Sequence, residues 1–272
     1  MSTAHVRLER DACVATVRLA RPGVRNALDD ETVGQLHRTL DAAGRDPRVR
    51  IVKLAGEGSC FCAGVDLRSM HQMGRASAAE NLASSLRFSR MLAALHAFPK
   101  PTVAVVQGAA VGGGVGLVAC CDFSVASTSA FFRLSEVRLG LVPAMVSPYL
   151  VEALGARAAR RIMLSAERVD AERAREIGLV DEVVPPAELQ ARAREVVDRL
   201  LLGAPGALAA CKRLVREVAE SPLDAAIHER TAKLLATRRA SEEGQEGVRA
   251  FLNKRRPAWT MAECGGSEEC QD

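Results

Sequence analysis

The amino-acid sequence predicts an α/β fold of coiled ββα units, followed by a helical C-terminal region. Up to residue 146, apolar strand patterns alternate with helical ones, and from Ser147 onward nearly all of the chain has helical periodicity. The chain has 272 residues, of which 48% are hydrophobic, which suits one large domain with an appendage. We expect a ββα core over 1–200, helices over 201–260 that pack on other subunits or fold back over the core, and a disordered tail over 261–272.

The first hundred residues are predicted to contain three strands and two main helices. The first two strands form a hairpin around a polar turn. Asp29 or Asp30 can cap the first helix, and Pro99 and Pro101 end the second. Segment 69–80 is polar and is predicted to be a mobile loop or a short helix. The predicted strands cover 6–8, 14–19 and 50–54, and the predicted helices cover 31–43 and 82–98.

The chain after Pro101 begins with its most apolar strand and ends in helices. Residues 102–106 are mostly β-branched and predict a buried strand. Residues 115–121 predict a short buried helix, and two short strands follow at 122–126 and 130–132. Glycines and prolines separate the later helical segments, which cover 147–154, 156–165, 170–177, 187–202, 206–220, 222–239 and 241–252.

Two glycine-rich loops each follow a predicted strand directly. One spans residues 56–67, and the other contains Gly108 and the triplet 112–114. Each loop can offer a backbone N–H group to one oxygen, and two such donors make an oxyanion hole. The alternatives are ordinary turns and close packing of a strand on a helix. A dinucleotide-binding fingerprint would need a glycine where Leu117 stands.

Glu136 is the candidate proton-transfer group. Its neighbours in SEVRLGLVP are mostly apolar, and burial of a carboxyl among apolar groups raises its pKa towards neutrality. The alternative is a surface glutamate on an irregular turn. No metal site is expected, because the five histidines are scattered and Cys60 and Cys62 have the wrong spacing for zinc.

The charge and the termini predict a cytoplasmic protein that binds small ligands. The net charge of +4 is spread along the chain, which argues against nucleic-acid binding and suits anionic small molecules. The N-terminus lacks the apolar region of a signal peptide, and no apolar stretch is long enough to span a membrane. Most cysteines lie in apolar runs, which is typical of reduced, buried thiols.

Several motifs together resemble the enoyl-CoA hydratase/isomerase (crotonase) superfamily, in the correct order over about residues 5–259. The resemblance implies a spiral of ββα units, a C-terminal helical trimerisation region, and assembly as a trimer or a dimer of trimers. It also implies an acyl-CoA thioester as substrate, with CoA as part of the substrate and no separate cofactor. The motifs are RPGVRNAL at 21–28, FCAGVDL at 61–67, QGAAVGGG at 107–114, SEVRLGLVP at 135–143, GLVDEVVP at 178–185 and FLNKRRPAW at 251–259.

The resemblance also implies roles for individual residues. The N–H groups of Val65 and Gly113 match the two donors that hold the thioester oxygen, and Glu136 matches the second of two catalytic glutamates. Phe251 and Lys254 match positions at which a neighbouring subunit often completes the CoA site. The expected substrate-binding residues on the chain's own core are Arg25, Ala27, Ala63, Asp66, Leu67 and Gly112.

One departure from the family pattern bears on the reaction. The first catalytic glutamate falls at Gly116, which has no side chain. GGGVGLVACCD and LGLVPAMVSPYLVEALG resemble bacterial methylglutaconyl-CoA hydratases of leucine breakdown. We therefore expect reversible hydration of 3-methylglutaconyl-CoA, with Arg68, Arg133 or Arg138 as candidate partners of its distal carboxylate. The alternatives are double-bond isomerisation or other crotonase chemistry and, outside enzymes, RNA binding.

Overall fold

The strands form two sheets in the computed structural model, which describes residues 4–261. The first sheet has the order β1-β2-β3-β4-β6-β9 and is parallel except for the β1–β2 hairpin, and the second has the order β5-β7-β8. The predicted disordered tail lies outside the described residues, apart from Met261. The strands are β1 Val6–Asp11, β2 Val14–Leu19, β3 Ile51–Gly56, β4 Thr102–Val106, β5 Ala109–Val111, β6 Phe123–Ser127, β7 Phe131–Arg133, β8 Val169–Asp170 and β9 Glu182–Val184.

The helices cover both faces of the first sheet and make up most of the chain after residue 146. None of the helices within residues 4–261 is long and apolar enough to cross a membrane. They are α1 Asp30–Arg45, α2 Leu67–Met73, α3 Ala78–His96, α4 Gly113–Ala119, α5 Ser147–Ser165, α6 Ala171–Glu176, α7 Leu189–Leu201, α8 Pro205–Ala219, α9 Ala225–Ala240, α10 Glu242–Leu252 and α11 Ala258–Met261.

The chain coils by repeating one arrangement: a strand of the first sheet, a short extended piece in a second layer, and a helix. After β4 the extended piece is β5 and the helix is α4. After β3, single bridging residues replace a full strand: Cys62 pairs with Ala110, and Val65 pairs with Leu28. The second layer thus brings the segments after β2, β3 and β4 together, and the candidate site forms there.

Burial explains why the central strand β4 is almost entirely apolar. All five residues of β4 are buried, because one face packs on the main core with α1, α3 and α4 while the other packs on α7. Parallel sheets covered on both faces require this composition. At the N-terminal end of β3, Arg50 holds the C-terminal region in place by donating to the backbone carbonyls of Leu201, Gly203 and Trp259.

The predicted elements largely agree with the structure, and the differences have physical causes. Of the two alternatives for segment 69–80, the structure has the short helix: α2 begins at Leu67, where Asp66 accepts hydrogen bonds from two N–H groups of its first turn, and residues 74–77 connect it to α3. The glycine triplet is not a loop either, since α4 already begins at Gly113. β5, β8 and β9 were not predicted, because runs of two or three residues show no periodicity.

Candidate active site

Two loops are tied together at the carboxyl ends of β2 and β3 by one buried side chain. The Nδ2 of Asn26 donates to the carbonyls of Glu57, Cys60 and Phe61 at 3.0, 2.7 and 3.2 Å. Its Oδ1 accepts from the N–H of Arg21 at 2.9 Å. Asn26 is fully buried with φ +57°, a conformation that Asn tolerates better than most residues. The sequence analysis gave Asn26 no role, and its only signal was an asparagine at the end of a turn.

Val65 and Gly113 both line one cavity and have backbone N–H groups without a protein partner. On either side of the Val65 N–H, the N–H of Leu28 donates to Gly64 O and the N–H of Asp66 donates to Leu28 O, both at 2.8 Å. Within residues 4–261, neither the Val65 N–H nor the Gly113 N–H donates to a protein group. The structure thus brings the two expected residues, one from each loop, to the same cavity.

The glycines beside these donors have no room for a side chain. A Cβ on Gly112, whose φ is +50°, would lie 2.8 Å from Glu136 Oε1. A Cβ on Gly113 would lie 2.8 Å from Phe88 Cζ, and one on Gly114 would lie 2.7 Å from Cys62 O. Contacts this short require the neighbour to move, so the triplet lets the backbone of α4 approach Glu136, α3 and the second layer closely.

Glu136 begins a single 3₁₀ turn, Glu136–Leu139, and its carboxyl group enters the cavity. Oε1 lies against Gly112, while Oε2 is buried and has no hydrogen-bond partner within the described residues. Burial raises the pKa of the Glu136 carboxyl above its ordinary value. The side chain is therefore half-buried and partly desolvated, unlike a surface glutamate on a turn.

The cavity has a volume of about 560 Å³, and most of its wall is apolar. Two carboxylates other than Glu136 border it, and both are paired: Asp29 with Arg21, and Asp30 with Arg87 and Ser84. Its apolar lining comes from α1 to α3 and from the segment after Glu136 and includes Leu28, Val33, Met70, Met73, Phe88, Leu139, Leu141, Val142, Met145 and Val146.

A second, more open cleft of about 730 Å³ adjoins this cavity. The two share residues of the β3 loop and α2, among them Ala63, Val65 and Leu67. The cleft adds the guanidinium groups of Arg21, Arg25 and Arg68, which the cavity lacks, together with the carboxylates of Glu31 and Asp66. A ligand with an apolar end and an anionic end would fit this pair of spaces, with its middle beside the Val65 N–H.

Comparison with known proteins decides the family. The model of the enoyl-CoA hydratase/isomerase family matches residues 9–262. The chain belongs to this family. The match confirms the predicted superfamily, and with it an enzyme of the enoyl-CoA hydratase type.

Curated relatives and solved structures agree with this membership. The chain is 34% identical to the 2,3-dehydroadipyl-CoA hydratase of Escherichia coli (strain K12), over 92% of this chain and 96% of that one. It is 31% identical to the crotonyl-CoA hydratase of Syntrophomonas wolfei, over 94% and 98% of the two chains. The crystal structure of an enoyl-CoA hydratase from Shewanella pealeana matches with a TM-score of 0.91 and 38% identity, over 94% of this chain and 96% of that chain. The crotonase-type fold predicted from the sequence is confirmed.

Most of the residues expected from the family pattern lie around the two spaces. Ala63, Val65, Leu67, Gly112, Gly113 and Glu136 line the cavity, and Arg25, Ala27 and Asp66 line the adjoining cleft. Phe251 and Lys254 are not brought to either space within one chain. Phe251 is 83% exposed at the end of α10, and Lys254 follows it with φ +50°.

The three arginines considered for a distal carboxylate do not reach the apolar cavity. Arg68 lines the adjoining cleft. The Nε of Arg133 donates to Ala166 O at 3.0 Å, and neither Arg133 nor Arg138 lines the cavity. The sequence analysis did not consider Arg87 on α3, whose guanidinium bonds to the cavity-lining Asp30. Only the packing of α3 on α1 brings it to this border.

Cysteines and histidines form no metal site in the part of the chain that the structure describes. Cys60, Cys62 and Cys120 are buried free thiols, as the apolar runs around them predicted. Burial raises the pKa of the Cys62 thiol to about 12. Cys62 lies behind the glycine triplet as a small packing residue, and its thiol is protonated at neutral pH.

Proposed function

We propose that this enzyme catalyses the reversible hydration of 3-methylglutaconyl-CoA to 3-hydroxy-3-methylglutaryl-CoA. The observation that carries the hydration step is the juxtaposition of Glu136, with its unpartnered Oε2, and the N–H groups of Val65 and Gly113 in one cavity. A base beside two donors for a developing oxyanion is the arrangement that addition to an enoyl thioester requires. CoA enters as part of the substrate, and no resident cofactor is needed.

In the proposed mechanism, Glu136 carries both proton transfers. As the oxygen of water bonds to the β-carbon of the enoyl group, one water proton passes to Glu136. The π electron pair of the double bond shifts so that negative charge develops on the thioester oxygen. The N–H groups of Val65 and Gly113 stabilise this enolate, each by about 3–4 kcal/mol. Glu136 then returns a proton to the α-carbon of the substrate as the enolate collapses. The carboxylate is regenerated, and the net result is addition of H and OH across the double bond.

The adjoining cleft supports binding of the CoA part of the substrate. Arg25 and Arg68 provide positive charge for the phosphates, and Asp66 caps the α2 helix beside them. The shared residues Ala63 and Leu67 then flank the pantetheine arm where it enters the cavity.

Arg87 is our candidate partner for the distal carboxylate of the acyl group. Arg87 and Arg21 each bond to a carboxylate of the apolar cavity, but Arg21 also donates to Ala27 O, whereas Asp30 is the one hydrogen-bond partner of Arg87 within residues 4–261. A guanidinium has five donors, so Arg87 retains donors for a second carboxylate. A relative that is 34% identical is named for the dehydroadipyl group, which also ends in a carboxyl group. This relative supports a dicarboxylic acyl substrate for the chain.

The test compares hydration of 3-methylglutaconyl-CoA, 3-methylcrotonyl-CoA and crotonyl-CoA by the loss of enoyl-thioester absorbance. We expect rapid loss only with the glutaconyl substrate, and none with Glu136→Gln, which should still bind CoA esters. Activity should fall as the pH is lowered through the raised pKa of Glu136, because the base must be ionised. Equal turnover of crotonyl-CoA would refute the acyl specificity, and wild-type turnover by Glu136→Gln would refute the mechanism.

Arg87→Gln tests the distal contact separately. Loss of one charge-assisted hydrogen bond of about 1.5–3 kcal/mol lowers kcat/KM for the glutaconyl substrate roughly 10- to 150-fold. Arg90→Gln is the matched control, because Arg90 lies on the same helix but, within residues 4–261, has no hydrogen bond or ion pair to a residue that lines the cavity. An equal effect of the two substitutions would exclude Arg87 as the carboxylate partner.

Double-bond isomerisation is the second candidate, and Gly116 is the observation that favours it. One carboxylate is sufficient to move a proton between two carbons, and position 116 supplies no second one. Incorporation of ¹⁸O from labelled water into the product separates the two reactions, because isomerisation adds no oxygen.

We further propose that the chain assembles as a homotrimer or as a dimer of trimers. The helices after residue 201 support this, because they expose large apolar side chains that a monomer would leave in water, including Leu235, Val248, Phe251 and Leu252. Light scattering after size-exclusion chromatography measures the oligomeric state. Loss of assembly in Phe251→Ser would place this residue at the interface, and a monomeric wild type would refute the proposal.

A further inference from the structure

The wall next to Glu136 is closed by an apolar side chain where the family pattern has a second carboxylate. A Cβ on Gly116 would lie 2.3 Å from Val146 Cγ1 and 2.9 Å from Val146 Cβ. Val146, the residue before α5, is only 3% exposed and lines the cavity. Any side chain at position 116 would therefore have to displace Val146.

Gly112 and Gly116 connect this contact to Glu136. The space at Gly112 is filled by Glu136 Oε1, and the space at Gly116 is filled by Val146. Gly112 is the N-cap of α4, and Gly116 lies in the first turn, where its N–H donates to Gly112 O at 3.3 Å. The carboxyl of Glu136 and the side chain of Val146 therefore contact two adjacent positions at the start of α4.

We infer that Val146 is a positioning residue: it occupies the volume of the absent second carboxylate and excludes water from the wall beside Glu136. Glu136 is then left as the one unpaired acid–base group of the cavity. Its task in both proton transfers rests on the proposed function, whereas the exclusion of water rests on packing alone.

The other charged groups around the cavity do not replace Val146 in this role. Asp29 and Asp30 face Glu136 from the start of α1, and Arg21 and Arg87 neutralise them. The residues that α2, α3 and the segment 141–146 contribute to the wall are uncharged. α4 carries no titratable side chain between residues 113 and 119, and Arg138, on the same turn as Glu136, is exposed. Burial is accordingly the cause that raises the pKa of Glu136.

The first test measures the ionisation of Glu136 without using turnover. The free energy of unfolding of the wild type, relative to Glu136→Gln, should fall as the pH rises above about 4.3, the unfolded pKa of Glu. The fall should stop above the raised folded pKa, because both states are then ionised. The same comparison is then made in proteins that also carry Val146→Thr, which places a hydroxyl on the same wall. The decrease in unfolding free energy should then be smaller, and it should end at a pH lower by on the order of one unit.

Val142→Thr is the matched control, because Val142 lines the same cavity but is 70% exposed. It should leave the pH curve unchanged. An unchanged curve in Val146→Thr as well would overturn the inference, because a residue that only packs would lower stability equally at every pH. If Val146→Thr does not fold, Val146→Ala replaces it, because the smaller side chain admits water to the wall. The same shift of the pH curve supports the inference, and an unchanged curve overturns it.

The second test measures the packing directly. Gly116→Ala should lower Tm, and Val146→Gly in the same chain should recover part of the loss, so that the two changes are not additive. Gly34→Ala on α1 is the control, because only the flexible end of Arg38 approaches its Cβ. A Gly116→Ala protein as stable as the wild type would overturn the steric argument. A chain that passes both tests but hydrates no enoyl-CoA would refute the proposed function alone.

Discussion

Gly64→Ala tests whether the β3 loop places the Val65 N–H in the site. Gly64 has φ +88°, and a Cβ there would lie 2.7 Å from the carbonyl oxygen of Val111 in β5. The alanine therefore requires a strained backbone and a movement of the loop away from β5. Val65 is the next residue, so its N–H would move with the loop.

The expected effects on stability and on turnover differ in size. The positive φ costs an L-residue roughly 1–2 kcal/mol, and at about 2–4 °C per kcal/mol for a chain of this size Tm falls by roughly 2–8 °C. The short contact adds to this loss. Displacing one of two oxyanion donors lowers kcat by about 10²- to 10³-fold. The change in kcat should therefore far exceed what the folded fraction explains.

Gly155→Ala is the matched control for backbone strain. Gly155 has φ +73° at the break in α5, nothing lies within 4 Å of its Cβ position, and it does not line the cavity. Tm and kcat of both variants are measured on the substrate that the wild type turns over best. We expect similar backbone strain in both but a large loss of kcat only in Gly64→Ala. Equal kcat values in the two variants would refute the role of the Val65 N–H.

Two further substitutions test how the site is held in place. Asn26→Asp keeps the size of the side chain but turns an oxygen towards three carbonyls. We expect the free energy of unfolding, measured by urea denaturation, to fall by on the order of 3 kcal/mol. A urea midpoint equal to that of the wild type would contradict the role of Asn26 in holding the two loops together. Arg50→Met removes three charge-assisted bonds to the C-terminal region and should release Trp259, the single tryptophan, so that its emission shifts to the red. Arg45→Met is the control, because Arg45 is 81% exposed; equal emission spectra of the two variants would contradict the prediction.

The sequence predicted the elements with strong periodicity and missed those held by tertiary contacts. The range 102–106 agrees fully with β4, because four of its five residues are β-branched, which favours a buried strand over a helix. The second sheet went largely unpredicted. β5 has three residues, and Cys62 and Val65 enter the second layer only as single bridges. Such pieces are defined by their partners in space, so a one-dimensional pattern does not contain them.

The residues of the candidate site also differ in how far the sequence could predict them. The two loops could be identified because glycines mark where the chain must come close to something, and both loops line the cavity. The resemblance to the family added Val65 and Gly113 as the donors, and that role stays a prediction. Asn26 was not predictable, because its three acceptors lie in a different loop. Arg87 was missed for a similar reason, since only the packing of α3 on α1 brings it to Asp30. Phe251 and Lys254 remain predictions for an assembled protein, since the single chain leaves both outside the cavity and its adjoining cleft.

Gly116 shows how an absent side chain should be interpreted. The sequence identified it as a departure from the family pattern, and a residue without a side chain would by itself leave an empty space. Val146 fills that space. Because Val146 comes from a later segment of the chain, the pair is a property of the packing between α4 and the start of α5. If this inference holds, restoring a glutamate at position 116 alone would strain α4 and would not produce a two-carboxylate enzyme. The change would require a smaller residue at position 146 as well.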